Sequence, residues 1–158
     1  MRYAVWTVVP LAIFSTILPA KADMKLRLLY DDDMSMNKSQ FPANGEIDFV
    51  IKKNDIEVYG NVNGDIHLVG SKSRPYGDLF GPFKFSVHAS AHSLQFIGVY
   101  RSHIERAVVT TDGVSSCRAT INLALKPGFS EYEYQIGGFP IRISDQRIHN
   151  VRCELTTV

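Results

Sequence analysis

Apolar residues recur at every second position through most of the chain after residue 22, and helical spacing is nowhere sustained there over three turns. In 24–30, MKLRLLY, Leu26, Leu28 and Tyr30 share one phase. In 46–53, EIDFVIKK, Ile47, Phe49 and Ile51 stand against Glu46, Asp48, Val50 and Lys52. Phe83, Phe85 and Val87 follow the same rule in FKFSV. Cys117, Ala119, Ile121, Leu123 and Leu125 follow it in CRATINLALK, and Val151, Cys153 and Leu155 in RIHNVRCEL. Period-two patterning is the mark of half-buried strands. Only RSHIERAVV, 101–109, reads equally as a short helix, and its β-branched valines suit a strand.

Turn residues separate these runs at short intervals. Asn63-Gly64 supplies the positive φ angles of a tight hairpin turn and places a hairpin there. The pattern predicts an all-β, antiparallel sandwich of about ten strands, with a small barrel as the alternative. It predicts a single β domain over 23–158, without linker or repeat. The longest irregular stretches are SKSRPYGDLFGP (71–82) and KPGFSEYEYQIGGFP (126–140). The second carries Tyr132, Tyr134 and Ile136 in strand-like alternation, which assigns this segment, Phe139 included, more to the core than to a binding loop.

Residues 1–22 differ in kind. Arg2 precedes a long apolar run broken by Pro10, and Ala20-Lys21-Ala22 has the small-x-small form of a signal-peptidase site. A cleaved signal peptide is expected, and with it export to a periplasmic or extracellular space, leaving no stable membrane anchor. Cleavage removes Arg2 and Lys21 and no acid, so a chain of formal charge +1 becomes nearly neutral. That balance argues against nucleic-acid binding, which needs a basic stripe. In an oxidising compartment Cys117 and Cys153, both on the apolar phase of their strands, are expected to form one disulfide.

Signatures of catalysis are absent: there is no G-x-S-x-G, S-x-x-K, H-E-x-x-H, P-loop or G-x-G-x-x-G. No cofactor is implied. His88 and His92 are four apart in VHASAHS, a chelating interval on a helix, but their flanks are strands. Matching the apolar phases sets Phe85 opposite Leu94 or Phe96, which puts both histidines at or beside the hairpin tip, in a loop of 88–91 or 89–92. A third metal ligand would have to come from elsewhere, with His103, beside Glu105, the nearest suggestion. The run Asp31-Asp32-Asp33 before Ser35 and Asn37 lacks the glycine and glutamate of an EF-hand and reads as a solvated loop.

Loop 71–82 is the other candidate. Tyr76, Leu79 and Phe80 are large and apolar among prolines and glycines, with Arg74 and Asp78 beside them. They suit either a binding surface for an unknown protein or small ligand, or an Ω-loop folded over an open end of the core. The expectation is an exported binding or accessory module. The alternatives are a metal-binding protein or metal-dependent enzyme using His88 and His92, and a subunit of an extracellular assembly.

Overall fold

The computed structural model describes residues 23–36, 39–62, 64–77, 79–136 and 138–157; the expected leader, Asn37, Asn63 and Asp78 lie outside them. The described residues form twelve strands and no helix. They are β1 (Met24–Met36), β2 (Ser39–Ile51), β3 (Ile56–Val62), β4 (Asp65–Ser71), β5 (Tyr76–Gly77), β6 (Phe83–Ala89), β7 (Ser93–Val99), β8 (His103–Thr111), β9 (Cys117–Leu125), β10 (Tyr132–Ile136), β11 (Phe139–Ile143) and β12 (Asp145–Thr157). Two five-stranded antiparallel sheets, β12-β1-β2-β3-β4 and β5-β6-β7-β8-β9, face each other, and β10-β11 is a separate hairpin. From His103 on, the segment RSHIERAVV lies in β8, where alternate residues are buried.

The predicted phases make the core. Leu26 and Leu28, Ile47 and Phe49, and Val58 and Val69 from the first sheet meet Phe83, Phe85, Val87, Leu94, Phe96, Ala107, Val109 and Ile121 from the second. Phe49 and Phe96 touch across the two sheets with ring centroids 5.9 Å apart. On the outer face Asp48 is nonetheless buried, because Lys25 (2.6 Å) and Arg27 (3.1 Å) close over its carboxylate. Long basic side chains cover apolar and charged groups alike while their heads stay wet.

The expected hairpin joins β3 to β4: Val62 pairs with Asp65, Gly64 takes φ +92°, and its N–H donates to Asn61 Oδ1 at 2.9 Å. The β6-β7 hairpin differs from its expected register. Phe85 lies opposite Gly98, Val87 opposite Phe96 and Ala89 opposite Leu94. Gly98 occupies an inward position that an apolar-phase match overlooks. A Cβ there would come within 3.3 Å of the Phe96 and Tyr100 rings, so the bare backbone makes room for aromatics on either side.

The sheets are joined along both sides. At one, the chain turns from β4 into β5 through paired Ser71 and Arg74. At the other, the edge strands β9 and β12 are tied by the Cys117–Cys153 disulfide, Cα–Cα 5.7 Å. The bridge is half-buried at the seam, with both cysteines packed on the core's margin. The sandwich is thereby closed on its long sides and open only at its ends.

Candidate functional site

One end of the sandwich is built differently from the other. There the far halves of β1 and β2 run on past β3 and β4, and the β10-β11 hairpin folds over the gap. The hairpin is docked by polar contacts: the Glu133 N–H donates to Ser102 Oγ (2.7 Å), the Gln135 N–H to the Phe80 carbonyl (3.1 Å), and the Tyr134 hydroxyl to Gln146 Oε1 (2.8 Å). Beneath it three rings stack in series. Phe83 lies on Tyr100 (4.5 Å, 10°) and Tyr100 on His103 (4.4 Å, 6°), while Tyr132 and Tyr134 meet His103 edge-on.

Between this aromatic wall and the first sheet lies a half-open cavity of about 310 Å³. Its walls are mostly apolar: Ile47, Val58 and Val69 from the first sheet, Phe83, Phe96 and Leu123 from the second, and Ile141 and Ile143 from the hairpin. Small-molecule sites have this character, a concave apolar surface with a few placed polar groups. Gly45 helps shape the rim. It pairs with Tyr30, whose ring lies where a Cβ at 45 would fall, so any side chain there would displace the tyrosine.

The cavity's polar lining includes Asn44, Asn61 and Gln146, the Glu46 carboxylate paired with Arg27, and two further acids without a cationic partner among the described residues. Asp32 on β1 and Glu105 on β8 both line the cavity, each 8 % exposed. Glu105 Oε2 accepts from the Tyr100 hydroxyl at 3.3 Å, and Asp32 Oδ2 from the Gln146 amide at 3.4 Å; Asp32 Oδ1 has no partner among the described residues. Burial pushes Glu105 up to about 7, with the Asp32 charge adding to the effect. Burial likewise raises Asp32 above the usual carboxylate range, and the Gln146 contact partly offsets this. Burial also raises Tyr30 and Tyr100, so both remain neutral phenols. The space is thus apolar and aromatic, its charge is negative, and among the described residues no Lys, Arg or His lines it.

The expected site residues are distributed otherwise. Leu79 and Phe80 turn inward, Phe80 lining the cavity, whereas Tyr76 is 55 % exposed and Arg74 lies on the surface. Asp78 lies outside the described residues. Of the loop's apolar side chains, Leu79 and Phe80 thus pack against the core, and Tyr76 faces outward. His88 is an exposed member of β6, paired with Gln95, and His92 is exposed in the turn Ser90–Ser93. That turn ends β6, while loop 71–82 leads into the start of the same strand, so the two lie at opposite ends of the sandwich. His103 is fully buried at the loop's end, with Nδ1 2.9 Å from Ser102 Oγ. Burial lowers it to about 4, which leaves it neutral. Among the described residues no three His, Cys, Asp or Glu side chains are grouped as metal ligands.

Two expectations are corrected outright. Phe139 is 75 % exposed at the tip of the β10-β11 hairpin and not in the core. Asp31-Asp32-Asp33 is strand, and its alternation turns Asp32 inward while Asp31 and Asp33 face solvent. Asp32 went unrecognised because a charged triplet looks uniformly polar. The signal was its position: two residues beyond Tyr30, it continues the Leu26-Leu28-Tyr30 phase.

Comparison of the chain with protein-family models, with curated proteins and with solved structures finds no match. The reading of the site rests on its own geometry.

Proposed function

We propose that this protein is an exported binding module whose ligand, a small molecule with an apolar body, enters the cavity beneath the β10-β11 hairpin. The cavity itself carries this reading. About 310 Å³ of apolar, aromatic-lined space lies at the lower end of the range for small-molecule sites. Export is supported by the signal-peptide pattern in residues 1–22 and by the disulfide, which persists where thiols are oxidised. No helix among the described residues is long and apolar enough to cross a membrane. The proposed compartment is periplasmic or extracellular, and fractionation of the producing cell reads it directly.

The neutral fluorophore N-phenyl-1-naphthylamine tests the cavity. A single saturable site with a blue-shifted, enhanced emission is expected for the wild type. Ile141→Trp, a half-buried hairpin residue on the cavity wall, fills the space, and the site should be lost at unchanged thermal stability. Equal binding by the two proteins would place the probe elsewhere and end this reading.

A metal-dependent role for His88, His92 and His103 draws no support from a fold that sets the first two at the other end of the sheet from the third. Assembly through a strand edge has a specific observation behind it. Only Ile47–Ile51 of β2 pair with β3, so among the described residues 39–46 have a strand on one side alone. Such an edge accepts an added strand. Light scattering at high concentration tests this second reading, which a strict monomer would count against.

A further inference from the structure

The cavity has a feature that a purely apolar ligand leaves unexplained. Buried carboxyl groups are ordinarily paired with a cation or fully hydrogen-bonded. Asp48, on the outer face of the same sheet, follows that rule with Lys25 and Arg27. Asp32 and Glu105 do not. Neither is in an ion pair among the described residues, and each has one long hydrogen bond, from an amide and a phenol respectively. Asp32 Oδ1 is buried, has no partner among the described residues, and belongs to a residue on the cavity wall. Burial disfavours the charge on both acids, the Asp32 charge adds to the effect on Glu105, and a cation bound between them would offset it for both.

On these grounds we infer that the cavity selects a cationic amphiphile: an organic ammonium whose apolar body fills the space between the sheets and whose charged head is met by Asp32 and Glu105. The inference rests on the reading of the cavity as a ligand site and adds the class of ligand. The aromatic wall suits the same head group: Tyr100 is covered on both faces by Phe83 and His103, but Phe83, Phe96 and Tyr134 also line the cavity, and ring faces attract cations as well as apolar surface. A bare metal ion fits less well. Hard cations take six or more oxygen ligands, or keep water in their place, and most of this wall is hydrocarbon. An anionic amphiphile would meet two like charges and, among the described residues, no basic side chain on the lining.

Three ligands of one tail length separate these possibilities: n-octylammonium, n-octanol and n-octanoate. They are titrated calorimetrically into the protein with its disulfide intact, at pH 8, above the value to which burial raises Glu105. Octylammonium is expected to bind at least tenfold more tightly than octanol, and octanoate more weakly than either. Asp32→Asn and Glu105→Gln, each nearly isosteric, should each reduce the ammonium preference. The double variant should abolish it while octanol and N-phenyl-1-naphthylamine still bind. If octanol and the fluorophore bind but octylammonium gains nothing, or if its advantage survives in the double variant, the cationic selection is overturned and the cavity reading stands. If none of the four compounds binds the wild type, both are overturned together.

Discussion

Two buried titratable groups lie at the same end of the sandwich with opposite consequences for stability. His103 is lowered from 6.5 to about 4, chiefly by burial, and Glu105 is raised from 4.5 to about 7 by the same cause. Between pH 4 and 6.5 the unfolded chain binds a proton at His103 that the folded chain refuses, so this term makes stability rise with pH. Between pH 4.5 and 7 the folded chain keeps a proton at Glu105 that the unfolded chain has lost, so this term makes stability fall as pH rises. Each shift corresponds to roughly 3 kcal/mol at full effect. Over pH 4.5–6.5 the two slopes oppose each other, and these groups leave the wild type nearly flat there. Glu105→Gln removes one of them. The variant should gain stability steadily from pH 4 to 6.5 and exceed the wild type by a few kcal/mol above pH 7. Urea unfolding midpoints measured across pH 4–9 check this, and a Glu105→Gln profile parallel to the wild type would contradict it. An acid that costs stability at neutral pH is better understood as a binding group than as a structural one.

At the scale of elements, what the sequence made legible divides by whether a side chain was there to be read. The strand phases stood out because Leu26, Leu28, Phe49, Phe83, Phe85 and Val87 are large and alternate with polar neighbours, and every one of them is in the core. The Asn63-Gly64 hairpin was legible because the turn demands a particular backbone. Gly64 sits at φ +92° with nothing within 4 Å of where a Cβ would stand, so the cost of a side chain there is conformational alone. Gly64→Ala should therefore destabilise by about 1 kcal/mol, and Gly64→Asn by less, because asparagine tolerates the left-handed region. Equal midpoints for all three proteins in chemical denaturation would refute this. Registers were harder to read where the partner was a glycine. Phe85 faces Gly98 and Tyr30 faces Gly45, pairings that no match of apolar phases finds. The cavity was least legible, since it depends on how β10-β11 folds back over strands remote in sequence. Its acids come from β1 and β8, and neither spacing nor motif connects them.

At the scale of the whole molecule, the disulfide and the cavity divide the sandwich between them. Cys117 begins β9 and Cys153 pairs with Leu28, so the bridge closes the seam toward the end that carries the β6-β7 tip. Asp32, Glu105 and the hairpin lie toward the other end. On the β4-β5 side the chain turns directly from one sheet into the other, whereas on the β9-β12 side it crosses by way of the β10-β11 hairpin and the bridge adds the direct link between the strands. Cross-linking residues 36 apart restricts the unfolded chain by roughly 4 kcal/mol in the loop-entropy model, an upper figure for the gain. Replacing both cysteines by serine should remove up to that amount, read as a lower urea midpoint. Because the seam parts at the end away from the ligand, the folded fraction of the double variant should bind N-phenyl-1-naphthylamine with wild-type affinity. Loss of binding in a variant still folded by circular dichroism would mean that the bridge holds the cavity's shape as well as the fold. If affinity survives while stability falls, the two ends are mechanically independent. The bridge then secures the scaffold, and the pocket depends on the stacked rings and the docked hairpin.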